Sequence, residues 1–186
     1  LSSFAFLDGA SEAPPVTTPG TGVTVVTIDA VANTMRVQAS FRDLLDTVTV
    51  AHIHVNNGPG DANTADTVGP VATPTPTFPG FPAGVTSGFY DNTFNMTLNS
   101  SYRGQFITDA GGTAAAAQEA LFLAIAEGRA YLNIHSRFAP GGEIRGFLAP
   151  CGEQGQPTCP TVPEPASLTM LGVALAGLAT ARRLRR

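Results

Sequence analysis

The sequence predicts an all-β protein: an antiparallel, Greek-key-like sandwich or barrel with one short helix, and a separate apolar helix at the C-terminus. Three observations predict it. Short apolar or alternating runs follow one another from residue 3 to residue 148, separated by Gly, Pro, Asn and Asp clusters. The 20 glycines and 15 prolines among 186 residues form about a fifth of the chain, against an average of about 12%, which disfavours a helical bundle. The length suits one domain plus extensions, enough to bury a core without help from a metal or disulfides.

The strands are read in chain order. Residues 3–7 are a short apolar run, and 23–28 are rich in Val and Thr. Residues 35–41 alternate, with Met35, Val37, Ala39 and Phe41 on one face and Arg36, Gln38 and Ser40 on the other. The runs 48–55, 85–90, 93–98, 130–136 and 143–148 complete the set. Between them, 56–84 reads as a long loop full of Thr-Pro and Gly-Pro pairs. One helix is expected over about 113–127: Thr113 is an N-cap residue, good helix formers follow, and Gly128 stands at the C′ position. Its apolar stripe is Leu121, Phe122 and Ile125.

The last two strands can be registered against each other. Aligning Ile134 with Ile144 leaves residues 137–141 as a five-residue hairpin loop. Asn133 then faces Arg145, Tyr131 faces Phe147, and His135 faces Glu143, making a polar face of His, Glu, Asn and Arg.

The chain has three histidines, and all lie in strands. His52 and His54 are two residues apart, so strand geometry turns both imidazoles to one face. With His135 from a neighbouring strand they form a candidate copper or zinc site with an open position. Glu143 is the candidate partner orienting His135, and parity places the site at a solvent-accessible sheet face or rim. The competing reading makes the histidines ordinary hydrogen-bonding residues. Asp8, Glu12, Asp43 and Asp46 read as turn and cap residues, since no calcium-type ligand loop accompanies them. Neither a catalytic nucleophile context nor a phosphate-binding glycine loop occurs, so no catalytic residue or organic cofactor is expected.

After residue 150 the character changes. The domain expected over 1–150 gives way to a polar linker, 151–165, holding Cys151 and Cys159. In an exported protein this pair predicts one small disulfide loop, against two free thiols. Residues 166–181 are sixteen uncharged residues, and Arg182, Arg183, Arg185 and Arg186 follow. The run is short of the roughly 20 residues that span a bilayer comfortably, although snorkelling arginines extend it. The positive-inside bias puts this end in the cytoplasm and the domain outside. The chain holds no lysine, and 1–150 is acidic, which excludes a nucleic-acid binder. No signal peptide precedes the first strand, so the N-terminus reads as already processed or trimmed.

Two resemblances refine this reading. Pro163, Glu164 and Pro165, the apolar run and the arginine cluster together resemble the PEP-CTERM sorting signal of Gram-negative bacteria. That resemblance implies export, recognition by an exosortase-type processing enzyme, transient membrane anchoring, and company with exopolysaccharide and biofilm matrix. Upstream, the blocks 9–16, 51–54, 133–136 and 142–148 resemble the CHRD (chordin-type) domain. The most specific are the His-Ile-His of 52–54 and the Gly-Glu-Ile-Arg-Gly of 142–146. The resemblance implies an extracellular β-sandwich without established catalysis, and gives Glu12, Asn133, Glu143 and Arg145 structural or supporting places beside the histidines. The expected function is therefore a non-enzymatic surface or matrix module that binds a polysaccharide or another surface protein. The alternative is a copper or zinc protein, dismutase-like only by analogy of architecture.

Overall fold

Pairs of β-branched and aromatic residues at two-residue spacing build almost the whole domain in the computed structural model, which describes residues 1–56 and 68–163. Strand β1 (Ser2–Asp8) pairs with β2 (Thr21–Asp29), and β2 with β3 (Thr34–Arg42), as an antiparallel meander. β4 (Val48–Val55), β5 (Gly88–Asn95), β6 (Ala130–Ser136), β7 (Ile144–Phe147) and β8 (Ala149–Cys151) follow. All ladders are antiparallel, in the order β4-β6-β7-β1-β2-β3-β5, with β8 on β1.

The order requires the sheet to curl. β3 and β4 are separated by five strand spacings, about 24 Å in a flat sheet, yet only the residues between Arg42 and Val48 connect them. That connection reaches about 20 Å at full stretch. The sheet therefore bends into a half-barrel, and inward residues from both ends meet in a single core with Val37, Ile53, Leu132 and Ile144 fully buried. A strap from residue 70 to 86 fills the gap between the edge strands. It bonds to β4 through Phe78 N to Ala51 O (3.1 Å) and Gly84 N to Val48 O (2.9 Å). Its Phe78 and Phe81 pack on Tyr90 of β5 at ring distances of 5.8 and 5.0 Å.

The expected helix is present as α2 (Ala114–Ala126), with Thr113 accepting a hydrogen bond from Ala116 N at 3.2 Å. Its buried stripe is Ala117, Leu121, Ala124 and Ile125, while Phe122 is only partly buried. The expectation of a single helix is corrected by α1 (Gly104–Asp109), which buries Phe106 and Ile107. With six residues and no capping side chain, it offers no periodicity to read. A second correction concerns 85–98, expected as two strands and found as one, β5. Asp91, in the gap between the two expected runs, lies within the strand and takes Arg36 Nε at 2.8 Å and Nη2 at 2.5 Å from β3.

The register expected for the last hairpin is the one observed, with Ile134 opposite Ile144, Asn133 opposite Arg145 and Tyr131 opposite Phe147. The run 143–148 divides, however. β7 stays with β6, and past Leu148 the chain becomes β8, which continues beside β1. The sheet thus reaches Cys151, which pairs with Ser2 and is disulfide-bonded to Cys159. Among the described residues no helix is long and apolar enough to cross a membrane. The expected helix over 166–186 lies outside the described residues, as do Glu164, Pro165, Arg182, Arg183, Arg185, Arg186 and part of the loop expected over 56–84.

Candidate metal centre

β4 turns Ala51, Ile53 and Val55 into the core and His52 and His54 to the other face. β6 sends Leu132 and Ile134 inward and Tyr131, Asn133 and His135 outward. The β4–β6 register sets Val50 against His135, His52 against Asn133 and His54 against Tyr131. His135 is therefore the diagonal neighbour of His52. The ring centroids lie 5.3 Å (52–135), 5.7 Å (52–54) and 6.1 Å (54–135) apart. Each ring offers one nitrogen, and these atoms all fall within 4.8 Å of one another.

One nitrogen of each ring is held by a backbone carbonyl. His52 Nε2 meets Pro76 O at 2.5 Å, His54 Nδ1 meets Gly69 O at 2.9 Å, and His135 Nδ1 meets Pro140 O at 2.9 Å. A carbonyl only accepts, so those nitrogens carry the proton and the tautomers are set. The lone pairs fall on His52 Nδ1, His54 Nε2 and His135 Nε2. All three atoms are buried without a hydrogen-bond partner. Burial pushes all three imidazoles below their ordinary pKa, opposed in part by the carbonyl bonds, and takes His54 down to about 4. Around neutral pH the rings are uncharged and able to ligate.

This placement corrects the expectation of a solvent-accessible rim: His52, His54 and His135 are 6%, 6% and 8% exposed. The second face of β6 is as buried as the first because loops roof it. Gly69 just ahead of the strap, Pro76 within it and Pro140 of the hairpin loop supply the carbonyls. Ser11 lies over Arg145 and accepts from its Nε. Carbonyl ligands to a ring come from backbone, so no residue type in the sequence marks them.

The expected partnership of Glu143 with His135 is also corrected. The Glu143 carboxylate accepts from Thr18 Oγ1 (2.6 Å), Leu45 N (2.7 Å) and Ser136 Oγ, and so ties three segments together away from the ring. Pro140 takes the orienting role instead. Arg145, 1% exposed, lies with its Cζ 4.8 Å from the Tyr131 centroid, and Tyr131 stacks on His54 at 5.0 Å with 12° between planes. The Tyr131 hydroxyl accepts from Gly69 N at 3.2 Å, so Gly69 is gripped by His54 on its carbonyl and by Tyr131 on its amide.

Glu12 closes a turn through its amide, which donates to Gly9 O at 3.2 Å, but its side chain is turned inward instead of capping. It is 3% exposed, with Oε2 3.9 Å from Arg145 Nε and Oε1 unpartnered. Burial raises its pKa to about 7 despite the opposing pull of Arg145. Asn133 Oδ1 is likewise buried without a partner, and both side chains crowd Gly142, whose φ is 132°. Asp8 and Asp46 do sit in turns, accepting from Ser11 N at 2.7 Å and Thr47 N at 2.6 Å.

The strands that carry this cluster also carry the family signature. Residues 4–148 match the model of the CHRD domain, from β1 to the end of the last hairpin and across all three histidines. The chain belongs to the CHRD domain family. Residues 161–186 match the PEP-CTERM protein-sorting motif, which marks an exported, cell-envelope-directed protein processed by exosortase. Comparison with curated proteins and with solved structures returns no match. The Gly142–Gly146 block of the CHRD domain has a physical reading here. Glu143 and Arg145 are buried ties, and any side chain at 146 collides with the Phe6 carbonyl on β1.

Proposed function

We propose that this exported CHRD domain is a non-enzymatic module, stationed at the cell surface or in the extracellular matrix, whose His52, His54 and His135 hold one copper or zinc ion. One observation carries the reading: three buried imidazole lone pairs converge with no protein partner. Leaving each acceptor unsatisfied costs about 1–3 kcal/mol, and one ion relieves all three. The backbone carbonyls behind the rings are the outer partners that orient metal-binding histidines. Catalysis of the dismutase kind is disfavoured because the nitrogens are closed to solvent, leaving a substrate no approach.

A surface role alongside the metal draws on a groove of about 530 Å³ over β1–β3, bordered by the exposed Phe6 with Thr21, Ser40, Arg42 and Pro163. An aromatic ring among hydroxyls and an arginine suits a polysaccharide or another surface protein. The apolar run with its arginines anchors the precursor in the membrane before processing. The test of the metal reading is equilibrium dialysis of the purified full chain against copper(II) and zinc(II). One ion per chain is expected for the native protein and under a tenth of that for the His52→Ala/His54→Ala variant. Equal uptake by both proteins overturns the reading.

A further inference from the structure

Resting on that metal reading, we propose that the centre selects cuprous copper over divalent ions. The first ground is the charge of the ligand set. Among the described residues, the only cluster of His, Cys, Asp or Glu able to hold an ion is the three histidines, all of them neutral donors. The nearby buried carboxylates do not compensate an ion there, since Glu143 is occupied by Thr18, Leu45 and Ser136 and Glu12 faces Arg145. The cost of placing an uncompensated ion in a low-dielectric site grows with the square of its charge. A 2+ ion therefore meets about four times the penalty of a 1+ ion.

The second ground is the surrounding field, which is positive. The buried Arg145 guanidinium lies 4.8 Å from the centre of the Tyr131 ring, which is itself stacked on His54. That fixed positive charge repels a metal ion, and a doubly charged ion twice as much.

The third ground is coordination number. The three lone-pair nitrogens have almost no solvent-accessible surface, and among the described residues no fourth His, Cys, Asp or Glu joins them. Zinc(II) takes four ligands in nearly all protein sites, and copper(II) prefers tetragonal sets of four or more. Copper(I), a closed-shell d¹⁰ ion, is content with three donors. The carbonyl bonds that lock the rings restrain the site from opening to admit water.

The experiment supplies copper(I) under ascorbate to the metal-free full chain, with bicinchoninate as competitor, and then adds zinc(II) in about a hundredfold excess. Expected are one copper(I) per chain, retention of that copper against zinc, and no cupric resonance on exposure to air. Displacement of the copper by zinc, or a stoichiometric copper(II) signal in air, overturns the selectivity while leaving the metal reading intact. Uptake of neither ion overturns both.

Discussion

Replacing Glu12 by Gln should stabilise the metal-free protein at alkaline pH and leave it nearly unchanged in acid. Glu12 is 3% exposed, its Oε1 is unpartnered, and burial raises its pKa from 4.5 to about 7. Between those values the folded state holds a proton that the unfolded state has released, so stability falls as pH rises. The full loss is about 3 kcal/mol by pH 8. Gln keeps the shape and is neutral at every pH, so it removes this slope. His54 works in the opposite direction. Its pKa is lowered from 6.5 to about 4, so the unfolded chain binds the extra proton and stability rises with pH across that window. In the native protein the two slopes oppose each other between pH 4.5 and 6.5; in the variant the histidine slope stands alone. Thermal melts followed by circular dichroism at pH 5 and pH 8, with chelator present, read the effect. About 3 kcal/mol corresponds to roughly 6–12 °C for a chain of this size, gained at pH 8 and nearly absent at pH 5. An equal change in melting temperature at both values would refute the reasoning.

Other perturbations have equally definite outcomes. Gly146→Ala drives a Cβ into the Phe6 carbonyl, a backbone atom that cannot step aside, and should cost over about 3 kcal/mol in a denaturant melt; a loss within about 1 kcal/mol would contradict the close approach of β7 to β1. Cys151→Ser/Cys159→Ser opens a short loop that ties the linker to β8, and chain entropy puts the cost at about 2.5 kcal/mol, read as a lower melting temperature. Asp91→Asn should cost only about 0.5–1 kcal/mol at pH 7, because the Arg36 pair is half-exposed and screened. The Arg36 hydrogen bonds lower the Asp91 pKa below 3.8, so its contribution is present above that value and is lost as pH falls from there through the depressed folded-state pKa. A native–variant difference that persists in acid would exclude this origin.

Most of the sheet was legible because its strands alternate cleanly. Runs such as 35–41 and 130–136 name their inward residues, and the Ile134–Ile144 alignment set the hairpin register correctly. The convergence of the histidines was legible in part: two-residue spacing put His52 and His54 on one face, but nothing in the sequence stated that β4 lies beside β6. What parity could not supply was the roof. Alternation distinguishes two faces without saying whether the second meets water. Here loops rich in proline and glycine cover it, turning an expected rim into a buried centre. Glu143 shows the same gap. Standing across from His135 in the sequence register, it instead joins Thr18 and Leu45, contacts between segments more than 90 residues apart in the chain. The break left between 90 and 93 has a related reason, since Asp91 and Asn92 interrupt the apolar pattern until the arginine on the adjacent strand is known.

The central claim is that three imidazoles, one from each of His52, His54 and His135, share a single ion. X-ray absorption fine structure of the copper-loaded full chain tests it most directly. The arrangement predicts three nitrogen scatterers at about 2.0 Å, with the outer-shell pattern of imidazole rings. A first shell containing sulfur, or one fitted by oxygen donors without imidazole, would contradict it.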